Sequence, residues 1–163
     1  MESHSCYFCP MQITLTPIAY VKNSRSGMKD DFWGNVISEI VISDNLPENC
    51  LDGIDTFSHL EIIFYFDKAS KSDTVDGASH PSGNKDWPNV GIFAQRKKDR
   101  PNHLGLTIVK LISRKGRALT VQGLDADNDT PILDIKPVAK EFLPREEVIQ
   151  PMWMTELMKD YWK

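Results

Sequence analysis

Apolar positions along the chain fall in short runs separated by polar turns, a pattern of strands rather than helices. Seven runs stand out: residues 14–22 (TLTPIAYVK), 35–43 (NVISEIVIS), 59–66 (HLEIIFYF), 90–95, 104–113 (LGLTIVKLIS), 118–124 (ALTVQGL) and 131–137 (PILDIKP). In the sixth, Leu119 and Val121 share one face while Ala118, Thr120 and Gln122 share the other. In the seventh, Leu133 and Ile135 stand opposite Asp134 and Lys136. Pro17 marks the first run as an edge strand. Arg114-Lys115-Gly116-Arg117 and Asp127-Asn128-Asp129 read as hairpin connections, because Gly, Asn and Asp tolerate positive φ. Seven strands without alternating helices predict a mainly β fold, a small barrel or sandwich.

Helical periodicity is peripheral. Residues 46–54 have room for one or two turns. Residues 151–162 carry a stronger signal: Trp153, Leu157 and Tyr161 recur at i, i+4 and i+8, and Met154, Met158 and Trp162 repeat the pattern one residue on. Such a stripe packs on the barrel itself or on a partner. Residues 69–89 hold Ser, Gly, Asp and Pro with no apolar period, a long loop of the kind that forms lids and binding loops.

Composition narrows the picture. At 163 residues and 40% hydrophobic, the chain has one domain's worth of core. A net charge of −4 excludes a wholly basic nucleic-acid binder but not a local basic patch. No apolar run is long enough to span a membrane, so no membrane association is expected. The N-terminus shows no basic region followed by an apolar stretch, so no secretory signal is expected. Cys6, Cys9 and Cys50 are then expected as reduced thiols in a cytoplasmic protein. Cys6-x-x-Cys9 beside His4 has metal-ligand spacing, but no second pair stands at finger spacing; it reads as a tail, and no metal site is expected.

Several classes of chemistry lack their motifs. There is no G-x-G-x-x-G, no phosphate-binding P-loop, no G-x-S-x-G and no H-E-x-x-H. The charge distribution is more informative. Residues 96–117 contain Arg96, Lys97, Lys98, Arg100, Lys110, Arg114, Lys115 and Arg117 against Asp99 alone, a net +7 that leaves −11 for the rest. Such segregation points to a face that meets an anion, or to a solvated loop and hairpin tip. Within it, Gln95 to Gly105 sets two arginines, Pro101 and Asn102 between apolar runs, where a guanidinium fork suits carboxylate or phosphate. The acids around Asp125, Asp127, Asp129 and Asp134 have a cation, a ribose or the arginines as candidate partners, without the spacing of a calcium loop. Phe32-Trp33-Gly34 reads either as a stacking platform for a base or as a core anchor.

Three segments together resemble one family. L-D-G-I-D-T-F-S-H-L (residues 51–60), G-I-F-A-Q-R followed by R-P-N and L-G (residues 91–105), and T-P-I-L-D-I-K-P (residues 130–137) occur in the order found in the TsaA-like, TrmO-type β-barrel methyltransferases. The likeness covers residues 13–138, leaving 1–12 as a flexible N-terminus and 139–163 as a C-terminal helical extension. It implies a seven-stranded barrel, S-adenosyl-L-methionine as methyl donor, and a homodimer with the cofactor near the subunit interface. The acceptor it implies is a modified tRNA nucleoside of the threonylcarbamoyl-adenosine type. Other readings are a methyltransferase acting on a small metabolite and a non-catalytic RNA-binding barrel; DNA is not an expected partner.

By that resemblance, cofactor contacts are expected from Phe32, Trp33, Gly34, Asp67, Lys68, Gln95, Arg96, Leu106, Gly123, Leu124, Asp125 and Asp127. Asp67 stands where the family segment usually has His, and Lys97-Lys98 where it has Ser-Pro. His103, Asp125 and Asp134 are candidate bases, His103 being the group that titrates nearest neutrality. Lys97, Lys98, Arg100, Arg114 and Arg117 are the candidate RNA contacts.

Overall fold

A computed structural model describes residues 11–26 and 30–163. Cys6, Cys9 and the adjacent His4 lie outside the described residues. Among the described residues the strands are β1 (Ala19–Lys22), β2 (Ile37–Ile42), β3 (His59–Tyr65), β4 (Ala78–Ser79), β5 (Val90–Gly91), β6 (Leu104–Lys115), β7 (Ala118–Gln122) and β8 (Pro131–Pro137), with one α-helix, α1 (Met152–Leu157). Six strands close an antiparallel barrel in the order β1-β2-β7-β6-β3-β8. The fold is mainly β with peripheral short helices, as expected, but the barrel has six strands rather than seven.

The missing strand is the run at 90–95. Only Val90 and Gly91 of that run form a strand, and they pair with β4 outside the barrel. Ile92–Ala94 then turns into a 3₁₀ helix, which buries Ile92 and leaves Phe93 exposed. The Gln95 side chain stabilises this small ribbon, its Nε2 donating to Val90 O at 2.9 Å and to Ser79 O at 3.2 Å. The long 69–89 segment is thereby ordered into short turns and β4.

Alternation fills the barrel. Leu60, Ile62 and Phe64 of β3 point inward with Val109 of β6, Ile40 of β2 and Leu119 and Val121 of β7. Gly105 sits opposite Phe64, and a Cβ there would come within 2.4 Å of the phenyl ring. The glycine is what lets the ring lie across β6. β1 is no edge: it pairs with β2 along its length and with β8 at Ala19 and Tyr20, while Pro17 lies before the strand. The expected pairing of Leu133 with Ile135 on one face of β8 is broken by a register shift between Ile63 and Phe64. One extra residue reverses the alternation, so Ile132 and Ile135 face the core instead.

Gly116 has positive φ and opens the tight β6–β7 hairpin, as expected. Asp127-Asn128-Asp129 does not make a hairpin, because β7 and β8 are not neighbours. Residues 123–130 instead cross one end of the barrel and bond to the end of β1 and the segment after it: Asp129 N donates to Val21 O at 2.8 Å and Asn128 N to Arg25 O at 3.1 Å.

The C-terminal helix is shorter than its pattern predicts. α1 ends at Leu157, and looser turns carry the stripe to Trp162. Trp153, Met154, Leu157, Met158 and Tyr161 are half-buried on the chain's own barrel. Trp162 is the exposed exception.

Candidate functional site

The barrel end crossed by residues 123–130 opens into a cleft of about 840 Å³. Its floor is Phe64, Phe66 and Gly105, where β3 ends and β6 begins. One wall is the 93–102 loop, another the turn at His80–Gly83, and a third the C-terminal residues 153–161. Cations and carboxylates both line this space, with Asp99 among the cations of the loop wall and Lys68 beside Asp127. Arg96, Lys97, Lys98 and Arg100 line the loop wall; Asp125 and Asp127 come from the crossing segment, with Asp30 and Asp31 from the loop before Trp33.

Arg96 is positioned by the turn that precedes it and by a hydrogen bond from its Nη2 to the Leu106 carbonyl at 2.7 Å. Among the described residues it forms no ion pair with Asp125 or Asp134, and the residue is exposed and lines the cleft. Its charge still reaches Asp125 and favours the ionised form. Behind it, Arg100 Nη1 donates to Gln95 O at 3.3 Å and Lys97 Nζ lies 3.4 Å from Ser79 Oγ. Lys68 Nζ donates to Asn128 O at 2.9 Å and pairs loosely with Asp127 at 3.9 Å.

Asp125 has the most perturbed carboxyl group lining the cleft. Thr107 Oγ1 donates to its Oδ1, and Tyr161 Oη donates to its Oδ2 at 2.5 Å. Burial raises its pKa above the ordinary carboxylate value, and these two hydroxyls and Arg96 offset part of the rise. Burial also raises the pKa of the Tyr161 phenol, reinforced by the Asp125 charge. Tyr161 therefore stays protonated and remains a donor.

Of the expected cofactor residues, Trp33, Asp67, Lys68, Gln95, Arg96, Leu106, Asp125 and Asp127 all line the cleft. Phe32, Gly34, Gly123 and Leu124 do not, and each has a framework task. Phe32 has φ +67 and donates its N–H to Asp160 O at 3.2 Å. A Cβ on Gly34 would meet the Trp162 carbonyl oxygen at 1.9 Å, so only glycine admits the C-terminal backbone there. Gly123 turns the chain out of β7 at φ +83, and Leu124 is fully buried in the core. Trp33 lines the cleft but is only 5% exposed, as a core anchor is, with the Arg25 guanidinium 4.1 Å above its ring.

The candidate bases separate as well. His103 is buried behind the loop wall, its Nε2 2.9 Å from Thr74 Oγ1 and its ring against Tyr65. Asp134 lies on β8 outside the cleft, paired with Lys136 and bonded to the Ile135 N–H. Asp125 alone of the three faces the cleft.

The basic segment is also divided. Lys97, Lys98 and Arg100 belong to the cleft. Arg114 and Arg117 sit at the far end of β6, where they bind main-chain carbonyls of the 43–51 connection: Arg114 Nη1 to Leu51 O at 2.9 Å and Arg117 Nη1 to Leu46 O at 2.7 Å. Sequence adjacency suggested one face, but a twelve-residue strand carries its two ends up to roughly 35 Å apart. Tyr161, Thr107 and the Met154–Met158 pair were missed as site residues. Tyr161 and the two methionines were visible in the sequence only as a packing stripe.

Among the described residues no helix is long and apolar enough to cross a membrane, and no metal-ligand cluster occurs. The fold resembles a crystal structure of TrmO from P. aeruginosa, with a TM-score of 0.69 at 22% identity over 90% of this chain and 63% of that one. A human tRNA (adenine(37)-N6)-methyltransferase is 36% identical over 108 residues, 66% of this chain but only 24% of that protein. A probable S-adenosyl-L-methionine-binding protein from Pyrococcus abyssi is 38% identical over 149 residues, 85% of this chain and 75% of that protein. This chain thus spans about a quarter of the human relative's length. The family model for the tRNA-methyltransferase O N-terminal domain matches residues 20–142, all six barrel strands and the loops that wall the cleft, and the chain belongs to that family.

Proposed function

We propose that this chain is an S-adenosyl-L-methionine-dependent methyltransferase that acts on a tRNA nucleoside of the threonylcarbamoyl-adenosine type. The observation that carries the reading is the lining of the cleft: Arg96, Lys97, Lys98 and Arg100 from the loop wall, Asp125 and Asp127 from the crossing segment, and aromatic and thioether side chains besides. Its volume lies within the range of about 300–1,000 Å³ typical of small-molecule sites. The donor set fits the cofactor's chemistry. Arg96 offers a fork to an amino-acid carboxylate, the acids answer ribose hydroxyls, an ammonium and a sulfonium, and Phe66 and Met158 offer apolar surface to an adenine. When bound, the cofactor supplies an electrophilic methyl group. The protein's own contribution is alignment, exclusion of water and a fixed electrostatic frame. In this reading Asp125, the candidate base that lines the cleft, accepts a proton or a hydrogen bond from an acceptor nitrogen.

Names of relatives support the nucleic-acid side of the reading: the human one is a tRNA methyltransferase. Lys97 and Lys98 lie at the cleft rim, suited to phosphate on an RNA strand entering it. Along the outside of the barrel, Leu104, Leu106, Ile108 and Ile112 of β6 are 39–47% exposed in one row beside Ile63 and Tyr65 of β3. A second copy of the chain covering this row makes the homodimer, with Leu106 and Arg96 at its border.

The test is calorimetry with S-adenosylmethionine and S-adenosylhomocysteine, followed by transfer of a deuterated methyl group to bulk tRNA read by nucleoside mass spectrometry. Binding plus a labelled adenosine derivative supports the proposal. Binding with label on no nucleoside moves the acceptor to a small metabolite. RNA binding without cofactor binding leaves a non-catalytic barrel.

A further inference from the structure

The family match ends at residue 142, yet the cleft is finished by residues beyond it. Trp153, Met154, Leu157, Met158 and Tyr161 form a wall, and the segment that carries them is fastened at both ends. Near its start, Trp87 Nε1 donates to Glu156 Oε2 at 3.0 Å and the Trp87 ring packs 6.4 Å from that of Trp153. At its end, Phe32 N donates to Asp160 O at 3.2 Å and Trp33 N to Tyr161 O at 2.8 Å. These main-chain bonds, and the close approach that Gly34 permits, fix where the Tyr161 side chain leaves the backbone.

We propose that Tyr161 is a positioning residue for Asp125, so that the C-terminal segment completes the cofactor site. The proposal rests on the methyl-donor reading of the cleft. A carboxylate with one hydrogen-bond donor can still turn about its terminal torsion. Donors on both oxygens, Thr107 from β6 and Tyr161 from the C-terminal segment, fix its plane. They also favour its charged form against the cost of burial. Other charges around the pair are the Arg96 guanidinium from the loop wall, Asp30 acting on the phenol, and the Lys68–Asp127 ion pair. A positive sulfonium gains from an ionised, fixed carboxylate, and a neutral thioether gains less.

Tyr161→Phe removes the hydroxyl and keeps the ring, including its edge contact with Trp162 at 4.9 Å. Two measurements are paired. The Asp125 carboxyl carbon is titrated by NMR in ligand-free wild type and variant, its resonance assigned by its loss in Asp125→Asn. Affinities for S-adenosylmethionine and S-adenosylhomocysteine are measured by calorimetry between pH 5 and 8. The expected result is an upward move of the Asp125 midpoint in Tyr161→Phe, with affinity for the methyl donor reduced about tenfold and the demethylated product affected less. An unmoved midpoint overturns the proposal whatever the ligands do. A moved midpoint with wild-type affinity overturns it too, since Tyr161 is then only structural. Failure of the wild type to bind either ligand sinks the cofactor reading, and is told apart from a failure of the Tyr161–Asp125 coupling because the difference in titration remains.

Discussion

Replacing Arg96 by lysine separates a binding role from a structural one. In the ligand-free protein Arg96 is exposed and its one described hydrogen bond runs from Nη2 to the Leu106 carbonyl at 2.7 Å. Losing a bond of that kind at an exposed position costs the fold about 1 kcal/mol or less. Lysine keeps the charge, and with it the pull on Asp125, but it has no planar fork. If the fork receives the cofactor's carboxylate, the loss is that of a charge-assisted hydrogen bond, about 1.5–3 kcal/mol. That corresponds to a rise in Kd of roughly ten- to a hundredfold. The assay is calorimetric titration of S-adenosylhomocysteine into wild type and Arg96→Lys, with the ligand-free Tm of each. The expected outcome is a near-unchanged Tm and a weakened Kd. A lowered Tm with unchanged Kd would show that Arg96 only braces β6, and would refute its assignment to the site.

Three further outcomes are expected. Lys97→Glu combined with Lys98→Glu weakens tRNA binding and flattens its dependence on salt, while cofactor affinity barely moves; an unchanged salt slope removes these lysines from the RNA path. Asp125 has a folded-state pKa raised above the ordinary 3.8, so its contribution to stability is complete below that value and is lost as pH rises through the folded pKa. Asp125→Asn therefore gains in Tm relative to wild type as pH is raised from about 4 to 7, and a Tm difference independent of pH contradicts the burial argument. Light scattering gives the mass of two chains, falling toward one when Leu106→Glu and Ile108→Glu place charge on the outer row of β6; one-chain mass in the wild type across micromolar concentrations removes the dimer.

Much of the barrel was legible because a strand's alternation is local. Leu60, Ile62 and Phe64 announce their face through their own spacing, and Leu119 and Val121 do the same. What escaped is what depends on non-local partners. The run at 90–95 has strand composition, but its neighbour is the two-residue β4 and not a barrel strand. The bulge in β8 falls opposite the Ile63–Phe64 step of β3, and nothing in P-I-L-D-I-K-P signals it. The Asp127-Asn128-Asp129 turn was recognised as a turn, but its docking on Asn23 and Arg25, a hundred residues away, decides where it goes.

The site divides along the same physical line. Arg96, Lys97 and Lys98 were readable because a rigid loop between two apolar runs concentrates its charges in one place. Arg114 and Arg117 share that segment's charge but not its location, because an intervening strand converts sequence separation into distance. Tyr161 shows the opposite error. Its spacing from Trp153 and Leu157 marks it as one more apolar anchor, and its ring is indeed half-buried among them. Its hydroxyl has a different allegiance, and that is invisible until Gly34 brings the C-terminal backbone against Trp33. A buried phenol needs a partner for its O–H, and a buried carboxylate needs donors. Asp125 and Tyr161 meet both needs at once from opposite ends of the barrel's connectivity. The chemistry of this cleft is thus written in pairs of residues, each of which taken alone reads as ordinary.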